Sequence, residues 1–524
     1  MKERFLFLGP IRITQGGLYF SFKMLYCRYY IIYTLPMSDR LEDIIAIRKS
    51  KLAAIEAVGL SAYPDTTART HTLEEVTSTF DDLLEKEIVI VGRIRSLRLM
   101  GQLAFAHIED GDGRLQVFFQ KESLGEEAFQ FFVNNFDIGD FIEATGELFR
   151  TKTEEKTLKA KSVRMLAKSL RPLPSEHYSL ADEEIRLRQR YLDILLHPEV
   201  KDLFIKKALF WDATREFLKG KGFLEMYMPI LEPIPGGAEA EPFITHHNAL
   251  DKDFFLRISL ELPLKKMLVA GYPKVFEIGR VFRNEGIDRE HLQDYTAMEW
   301  YWAYANFEMM MKFVQEMYQY TIMKTFGTLQ LNYQGEVIDW SGNWPKLDYF
   351  ELFKEHTGID LNSATEEELR AYALNKHIAV EASAGKGRII DLIFKKKIRA
   401  LPEVSMQPHF LINQPIEIEP LAKKDSKNPR VVQRMQILAC GSEMGKGFAE
   451  LNDPIDQASR FAEQMKLREK GDKEAQMLDT DFLEALEYGM PPAAGFGFSE
   501  RNFAIFNDKS VRETVVFPPM KDAA

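Results

Sequence analysis

Between about residues 88 and 168, apolar and polar positions alternate in short runs: IVIVGRIRSLRL, LAFAHIED, GRLQVFFQ, DFIEATGELFR and LKAKSVRML, separated by turn signals such as GDG and IGD. A period of two predicts half-buried strands, because successive side chains point to opposite faces. Five strands with one helical interruption, ESLGEEAFQFFVNN, fit a partly open Greek-key barrel of the OB type, a fold that commonly binds oligonucleotides. A generic β-barrel spacer would show the same alternation. Upstream the period changes: SDRLEDIIAIRKSKLAAIEAVG places apolar residues three and four apart and ends on Gly59, which predicts an amphipathic helix opening at Met37.

Downstream, RPLPSEHYS reads as a proline-containing linker, and the charged helix DEEIRLRQRYLDILL follows it. From residue 200 onward helical and strand patterns alternate irregularly. Long strands are expected around 254–260, 273–283 and 295–304, joined locally, which suits an antiparallel sheet flanked by helices in a large α+β domain. The stretch from about 308 to 410 is mostly helical in pattern and reads as an insertion. The expected organisation is a helical segment over 37–87, a barrel over 88–172 and the α+β domain over 173–524.

Residues 1–36 are crowded with aromatics and poor in acids, as in LYFSF and CRYYIIYTL. Arg12, Lys23 and Arg28 interrupt the apolar runs, and none reaches the roughly 20 residues of a membrane-spanning helix. Met37 is the expected true start, with 1–36 an upstream read-through that is non-native or disordered.

With 524 residues, 45% of them hydrophobic, the chain can bury more than one core. A formal net charge of -11 excludes a surface that attracts nucleic acid everywhere, so any such contact must be local. Cys27 and Cys440 are the two cysteines, too few for a disulfide framework or a cysteine-based zinc site, which points to a reducing cytoplasm.

The chemistry concentrates in three segments. KVFEIGRVFRNEGIDREHLQDYTAMEWYWAY reads as a hairpin with a long polar loop. Phe276, Ile278 and Phe282 share one face with Met298, Trp300 and Trp302, while Glu277, Arg283, Tyr295, Glu299 and Tyr301 fall on the other. A polar and aromatic face on a rigid sheet can bind a charged, planar or phosphorylated ligand, and the loop adds Glu285, Arg289 and His291; a solvated face of surface ion pairs is the plainer alternative. GMPPAAGFGFSERNFAIFND is a glycine-rich strand running into a helix near Arg501, where an arginine can make paired hydrogen bonds to phosphate. GSEMGKGFAELNDP carries Glu443 and Glu450, two separated carboxylates suited to a metal or an ammonium group, or a solvated acidic loop, and Asp453-Pro454 is a helix start.

Taken in order, these segments resemble the class II aminoacyl-tRNA synthetases, and within them the lysyl enzymes, from about Met37 to Lys521. The class signatures are GFLEMYMP ending at Pro229, VFRNE ending at Glu285, and the glycine strand with Arg501. The lysyl-like marks are PGGAEAEPFITHHNALD, LRISLELPLKKML, GKGFAELNDP, EYGMPP and RETVVFPPM. The resemblance implies a ligase that activates L-lysine with ATP and Mg²⁺, transfers it to tRNA(Lys), works in the cytoplasm, has no membrane association and forms a homodimer. It implies that Arg283 holds the α-phosphate, Tyr295 stacks on adenine, Arg501 takes the γ-phosphate end, His291 contacts the β- and γ-phosphates, and Glu285 lies near the adenine or the substrate amine. Glu261 would take the α-amino group, with Glu450, Glu299 and Tyr301 around the ε-ammonium, Phe448 beside them and Gly237 closing the pocket. In the barrel, Phe105, Gln116 and Glu155 would read the central anticodon base, for which a stacked ring and hydrogen bonds to base edges are what single-stranded RNA requires.

Three features depart from the pattern. The glycine strand is one residue short. Gln436 stands where a Mg²⁺-binding glutamate is usual, leaving Glu443 as the main carboxylate ligand. Lys446 replaces an asparagine near the substrate carboxylate; it could pair with that carboxylate, the favoured reading, or repel the substrate's own ammonium. The alternatives are an aspartyl- or asparaginyl-type synthetase, disfavoured by three pocket glutamates, and a non-catalytic RNA-binding paralogue, which would be expected to lose Arg283 or Arg501.

Overall fold

A computed structural model describes residues 37–174, 182–286, 291–382, 384–471 and 475–522. The expected 1–36 extension and Arg289 lie outside these residues. The chain forms two compact units, divided between Ser179 and Leu180.

In the first unit the alternating runs become strands β1 (Glu87–Met100), β2 (Leu103–Glu109), β3 (Arg114–Gln120), β4 (Phe141–Arg150) and β5 (Lys156–Ala167). They close in the order β1-β2-β3-β5-β4. The expectation of a partly open barrel is corrected by two pairings. The long β1 serves both neighbours, Glu87–Arg93 pairing with β4 and Arg93–Met100 with β2 across a bulge between Ile94 and Ser96, while Gln116–Phe118 of β3 pairs in parallel with Thr157–Lys159 of β5. Ile88, Ile90, Ala104, Ala106 and Val117 fill the interior. Helix Glu126–Asn135 covers the core, with Phe132 stacked on Phe119 at 4.2 Å between centroids. The N-terminal helix, Met37–Ala57, is fastened by Arg48, which donates to the carbonyl oxygens of Ile138 at 2.9 Å and Ser169 at 3.0 Å.

The second unit is built on an eight-stranded sheet in the order Lys346–Asp348, His409–Ile412, Arg434–Ala439, Ser442–Ala449, Ala493–Ser499, Asp294–Ala303, Lys274–Phe282 and Leu224–Glu225. Its six central strands are antiparallel, as expected. The outermost strand at each edge, three residues at one and two at the other, pairs in parallel, so the sheet as a whole is mixed. The strand expected at 254–260 is also corrected. Lys252–Leu256 belongs to a separate three-stranded sheet with Leu231–Glu232 and Ile244–His247, and Leu260 caps helix Glu261–Val269. The alternation of FFLRISLEL runs through that break. Chain direction changes at Arg257, whose guanidinium donates to the carbonyl oxygens of Met228 and Arg280 and pairs with Glu277 at 2.8 Å.

One face of the sheet is apolar, as the hairpin pattern predicts. Phe276, Met298, Trp300, Phe496 and Phe498 pack against Met310, Phe313, Val314 and Met317 of helix Phe307–Phe326 and Phe210 and Phe217 of helix Pro198–Gly220. Truncating a buried aromatic ring of this kind to alanine typically costs about 3–5 kcal/mol. Helix Phe307–Phe326 is thus integral to the core. The helices Tyr349–Thr357, Glu366–Asn375 and Lys386–Lys397 instead gather around a second cluster containing Tyr349, Phe353, Ile390 and Phe394. Among the described residues no helix is long and apolar enough to cross a membrane.

Candidate active site

The other face of the sheet opens into a cavity of about 450 Å³. Its floor is main chain. Gly495 pairs with Tyr301 on one side and Phe448 on the other, and Gly497 with Glu299 and Lys446. A Cβ on Gly495 would collide with the Glu450 carboxylate and the Tyr301 ring, so the glycine lets those groups sit across the strand. Gly237 is required twice over: its φ is +83°, and a Cβ there would come within 2.9 Å of Glu261 Cβ and Ser259 Oγ.

Twelve of the residues singled out from the sequence line this cavity: Gly237, Glu261, Arg283, Glu285, His291, Tyr295, Glu299, Tyr301, Glu443, Lys446, Phe448 and Arg501. At one end Arg283 follows strand Lys274–Phe282, its guanidinium carbon 5.6 Å from the Tyr295 ring centre, leaving a cation and an aromatic plane side by side. Arg501 opens the helix after the glycine strand and donates from Nη2 to the Glu443 carbonyl oxygen. Glu285 is held by its carbonyl, which accepts from Gln293 Nε2 at 2.9 Å.

Glu443 and Glu450, the two separated carboxylates of GSEMGKGFAELNDP, have different surroundings. Glu443 sits beside Arg501 and accepts from Gln436 Nε2 at 2.6 Å. Burial raises its pKa, but Arg434, Arg501 and Lys446 outweigh that and bring it below the usual carboxylate value. An ionised Glu443 with the Gln436 amide behind it fits Mg²⁺, which takes one or two carboxylates and completes its shell with water and phosphate oxygens. Among the described residues no cluster of three or more metal-ligating side chains occurs, so such an ion would depend on a ligand's oxygens.

At the other end lies a carboxylate pocket. Glu299 accepts from Ser259 Oγ at 2.9 Å, Leu260 N–H at 3.0 Å and Tyr301 Oη at 2.9 Å, which fixes both of its oxygens. Glu261 and Glu450 are almost completely buried, at 4% and 1% exposure. Burial pushes the Glu261 carboxyl up to about 7 and the Glu450 carboxyl well above its ordinary range, with a nearby lysine opposing both shifts.

Two of the groups that decide this electrostatics were not singled out from the sequence. Lys265, fully buried, pairs with Glu261 at 2.5 Å and with Glu450. Its spacing from Glu261, four residues on one helix, was the available signal. The second is Glu419, 4% exposed, whose carboxylate lies 3.1 Å from Lys446 Nζ and 3.6 Å from Arg434 Nε. Lys446 therefore has a protein partner already, 27 positions away in the chain.

In the barrel, a second cavity is lined by Phe105, His107, Gln116, Phe118, Phe149 and Glu155. Phe105 is half-buried and stacks against Phe118 at 4.8 Å between centroids, so it is a groove residue rather than a core phenylalanine. Gln116 accepts from Thr157 Oγ1 at 2.9 Å through its carbonyl oxygen. Glu155 lies 2.9 Å from His107 Nε2, whose Nδ1 lies 3.0 Å from Ser96 Oγ. His107 is a polar group of this groove that the sequence reading missed.

Comparison with known proteins bears on both units. Residues 182–521 match the family described as tRNA synthetases class II (D, K and N), and residues 88–166 match the OB-fold nucleic acid binding domain. The chain is 41% identical over 487 residues to a lysine–tRNA ligase of Carboxydothermus hydrogenoformans, covering 92% of this chain and 99% of that one. It is 42% identical over 480 residues to one of Roseiflexus sp. (strain RS-1), covering 90% and 98%, and 39% identical over 493 residues to one of Bacillus subtilis (strain 168), covering 92% and 98%.

Proposed function

The chain belongs to the lysine–tRNA ligases of the class II synthetases, and from that premise we propose that the sheet cavity activates lysine with ATP before the amino acid passes to tRNA. The observation that carries the assignment of roles is the meeting of two chemistries in one cavity. Arg283, Arg501 and Glu443 stand at one end, and Glu261, Glu299 and Glu450 at or behind the other.

The nucleotide lies with adenine on Tyr295, the α-phosphate on Arg283 and the γ-phosphate end on Arg501, with His291 and Glu285 at the mouth. Lysine enters with its α-amino group toward Glu261 and its ε-ammonium toward Glu450, Glu299 and Tyr301, with Phe448 at its stem. This directs its carboxylate at the α-phosphorus for in-line attack. Pyrophosphate leaves, and the resulting mixed anhydride is attacked by a ribose hydroxyl at the tRNA 3′ end. No side-chain nucleophile is needed, and catalysis is positioning plus neutralisation of phosphate charge. Mg²⁺ on Glu443, steadied by Gln436, would supply part of that neutralisation. Buried carboxylates left short of positive charge are costly, so neutral amino acids are refused without editing.

Pyrophosphate exchange with each of the twenty amino acids tests this reading. Lysine-dependent exchange is expected, and exchange driven by aspartate or asparagine, or none at all, would overturn it. In the same assay Lys446→Asn should change the lysine KM by no more than about tenfold, about 1.4 kcal/mol, because Glu419 keeps Arg434. A variant that activates lysine far better would make Lys446 a repulsive element.

The barrel groove takes the anticodon of tRNA(Lys), with Phe105 stacking and Gln116 and Glu155 reading a base edge. Phe105→Ala should raise the tRNA KM about 10- to 100-fold, as loss of one stacked base costs about 1–3 kcal/mol, and leave pyrophosphate exchange untouched. Equal loss in both assays would remove the groove from recognition. The cytoplasm, where these substrates meet, is the place of action. Tyr227, Ile230, Leu231 and Ile244 are large apolar side chains left exposed near the end of the first signature, and they support a homodimer through that segment. Light scattering at twice the chain mass checks this.

A further inference from the structure

Lys265 is an ammonium already inside the pocket that is read above as the lysine site. It is fully buried, and its Nζ bridges Oε1 of Glu261 and Oε2 of Glu450. Three rings surround the same atom, with centroids at 5.1 Å (Phe448), 5.9 Å (Tyr301) and 6.0 Å (Phe482). Carboxylates plus aromatic faces are the surroundings that suit a desolvated ammonium. Each bridged carboxylate keeps a second oxygen. Glu450 Oε1 is buried with no hydrogen-bond partner among the described residues, and it faces the strand at Gly495, beside Tyr301.

The charges can be counted. Ionised opposite bound ammonium groups, Glu261, Glu299 and Glu450 bring three negative charges, and Lys265 returns one. Neighbouring charges are matched on their own account: Lys446 and Arg434 face Glu419 and Glu443, and Arg257 faces Glu277. The pocket is therefore short by two positive charges. Burial raises the Glu261 and Glu450 carboxyls, which therefore ionise fully only when further ammonium groups arrive, while both of them raise Lys265 against its own burial and keep it charged.

We propose that Lys265 is a positioning residue for substrate selection, a resident ammonium that ties Glu261 to Glu450 and sets the pocket's deficit at two charges, the number a diamino acid carries. A substrate with one ammonium leaves a buried carboxylate unmatched, and one with two closes the count. The inference rests on the lysine-pocket reading.

The test is a double-mutant cycle read as lysine KM in pyrophosphate exchange, with melting temperature as the folding control. Lys265→Met leaves three carboxylates against two substrate ammonium groups, and KM should rise at least tenfold with kcat changed less than about threefold. Glu261→Gln leaves one positive charge in excess and should also weaken lysine. Combining the two restores balance, so the double variant should have a lower KM than either single variant. A double variant as weak as the product of the singles, or Lys265→Met within twofold of the parent, overturns the proposal. If Lys265→Met does not fold, Lys265→Ala with added propylammonium is used instead. Recovery with propylammonium and none with 1-propanol is expected, and equal recovery with both would reduce Lys265 to a packing role. Failure of the parent chain to exchange with lysine would instead overturn the reading of the pocket itself.

Discussion

Arg283→Ala lowers the kcat of lysine-dependent pyrophosphate exchange about 1,000-fold, while the melting temperature stays within a few degrees of the parent. The magnitude follows from removing one charged group that meets the phosphate as its charge redistributes, where a preorganised donor in a site shielded from water contributes roughly 10²–10³ in rate. Stability is spared because, among the described residues, the side-chain contacts of Arg283 are weak: its Nε donates to the Ile258 carbonyl at a long 3.3 Å, and its guanidinium lies over Tyr295. Binding of tRNA, placed on the barrel, should not change. Single-turnover measurement of adenylate formation separates this loss from one in product release. A drop of less than about tenfold would move the α-phosphate contact elsewhere.

Glu450→Gln has the second large effect, and it falls on KM. The substitution keeps the shape and removes the charge that faces the ε-ammonium, while Lys265 retains Glu261. Breaking one partner of a buried charge pair costs about 3–5 kcal/mol, so the lysine KM should rise at least about 100-fold with kcat affected less. A KM within fivefold of the parent would place the ε-ammonium on Glu299 alone.

Much of the scaffold was legible because its period is strict. Leu103–Glu109 alternates throughout and the first eight residues of Glu87–Met100 do so too, and the apolar face of the 276–302 hairpin is the one that meets helix Phe307–Phe326. The 254–260 segment failed for a local reason. FFLRISLEL continues a two-residue period across the point where Arg257 ties the turn and helix Glu261–Val269 begins, so one pattern covers a strand end and a helix start. The site was legible in its parts and opaque in its pairings. Lys265 and Lys266 are neighbours in sequence, yet one is fully buried and the other reaches Asp481 on the outside; only the helical phase relative to Leu264 and Leu268 separates them. Glu419 and Lys446 lie on segments with no local relation, and nothing in either predicts the other. Gln436 pairs across the hairpin with Lys446 and Glu443 with Leu438, yet the two side chains meet beside the bulge between Ile437 and Leu438, a contact that no period along the chain predicts.

The short strands at the two ends of the catalytic sheet carry a further consequence. A wide sheet normally ends in rows of unpaired N–H and C=O groups, an open invitation to a strand from another chain. Here the terminal strands, Leu224–Glu225 and Lys346–Asp348, offer two and three residues, and the second runs straight into helix Tyr349–Thr357. So little exposed ladder gives an incoming strand almost nothing to grip. The broad sheet is in this way shielded at both of its edges from growing strand by strand into fibrils.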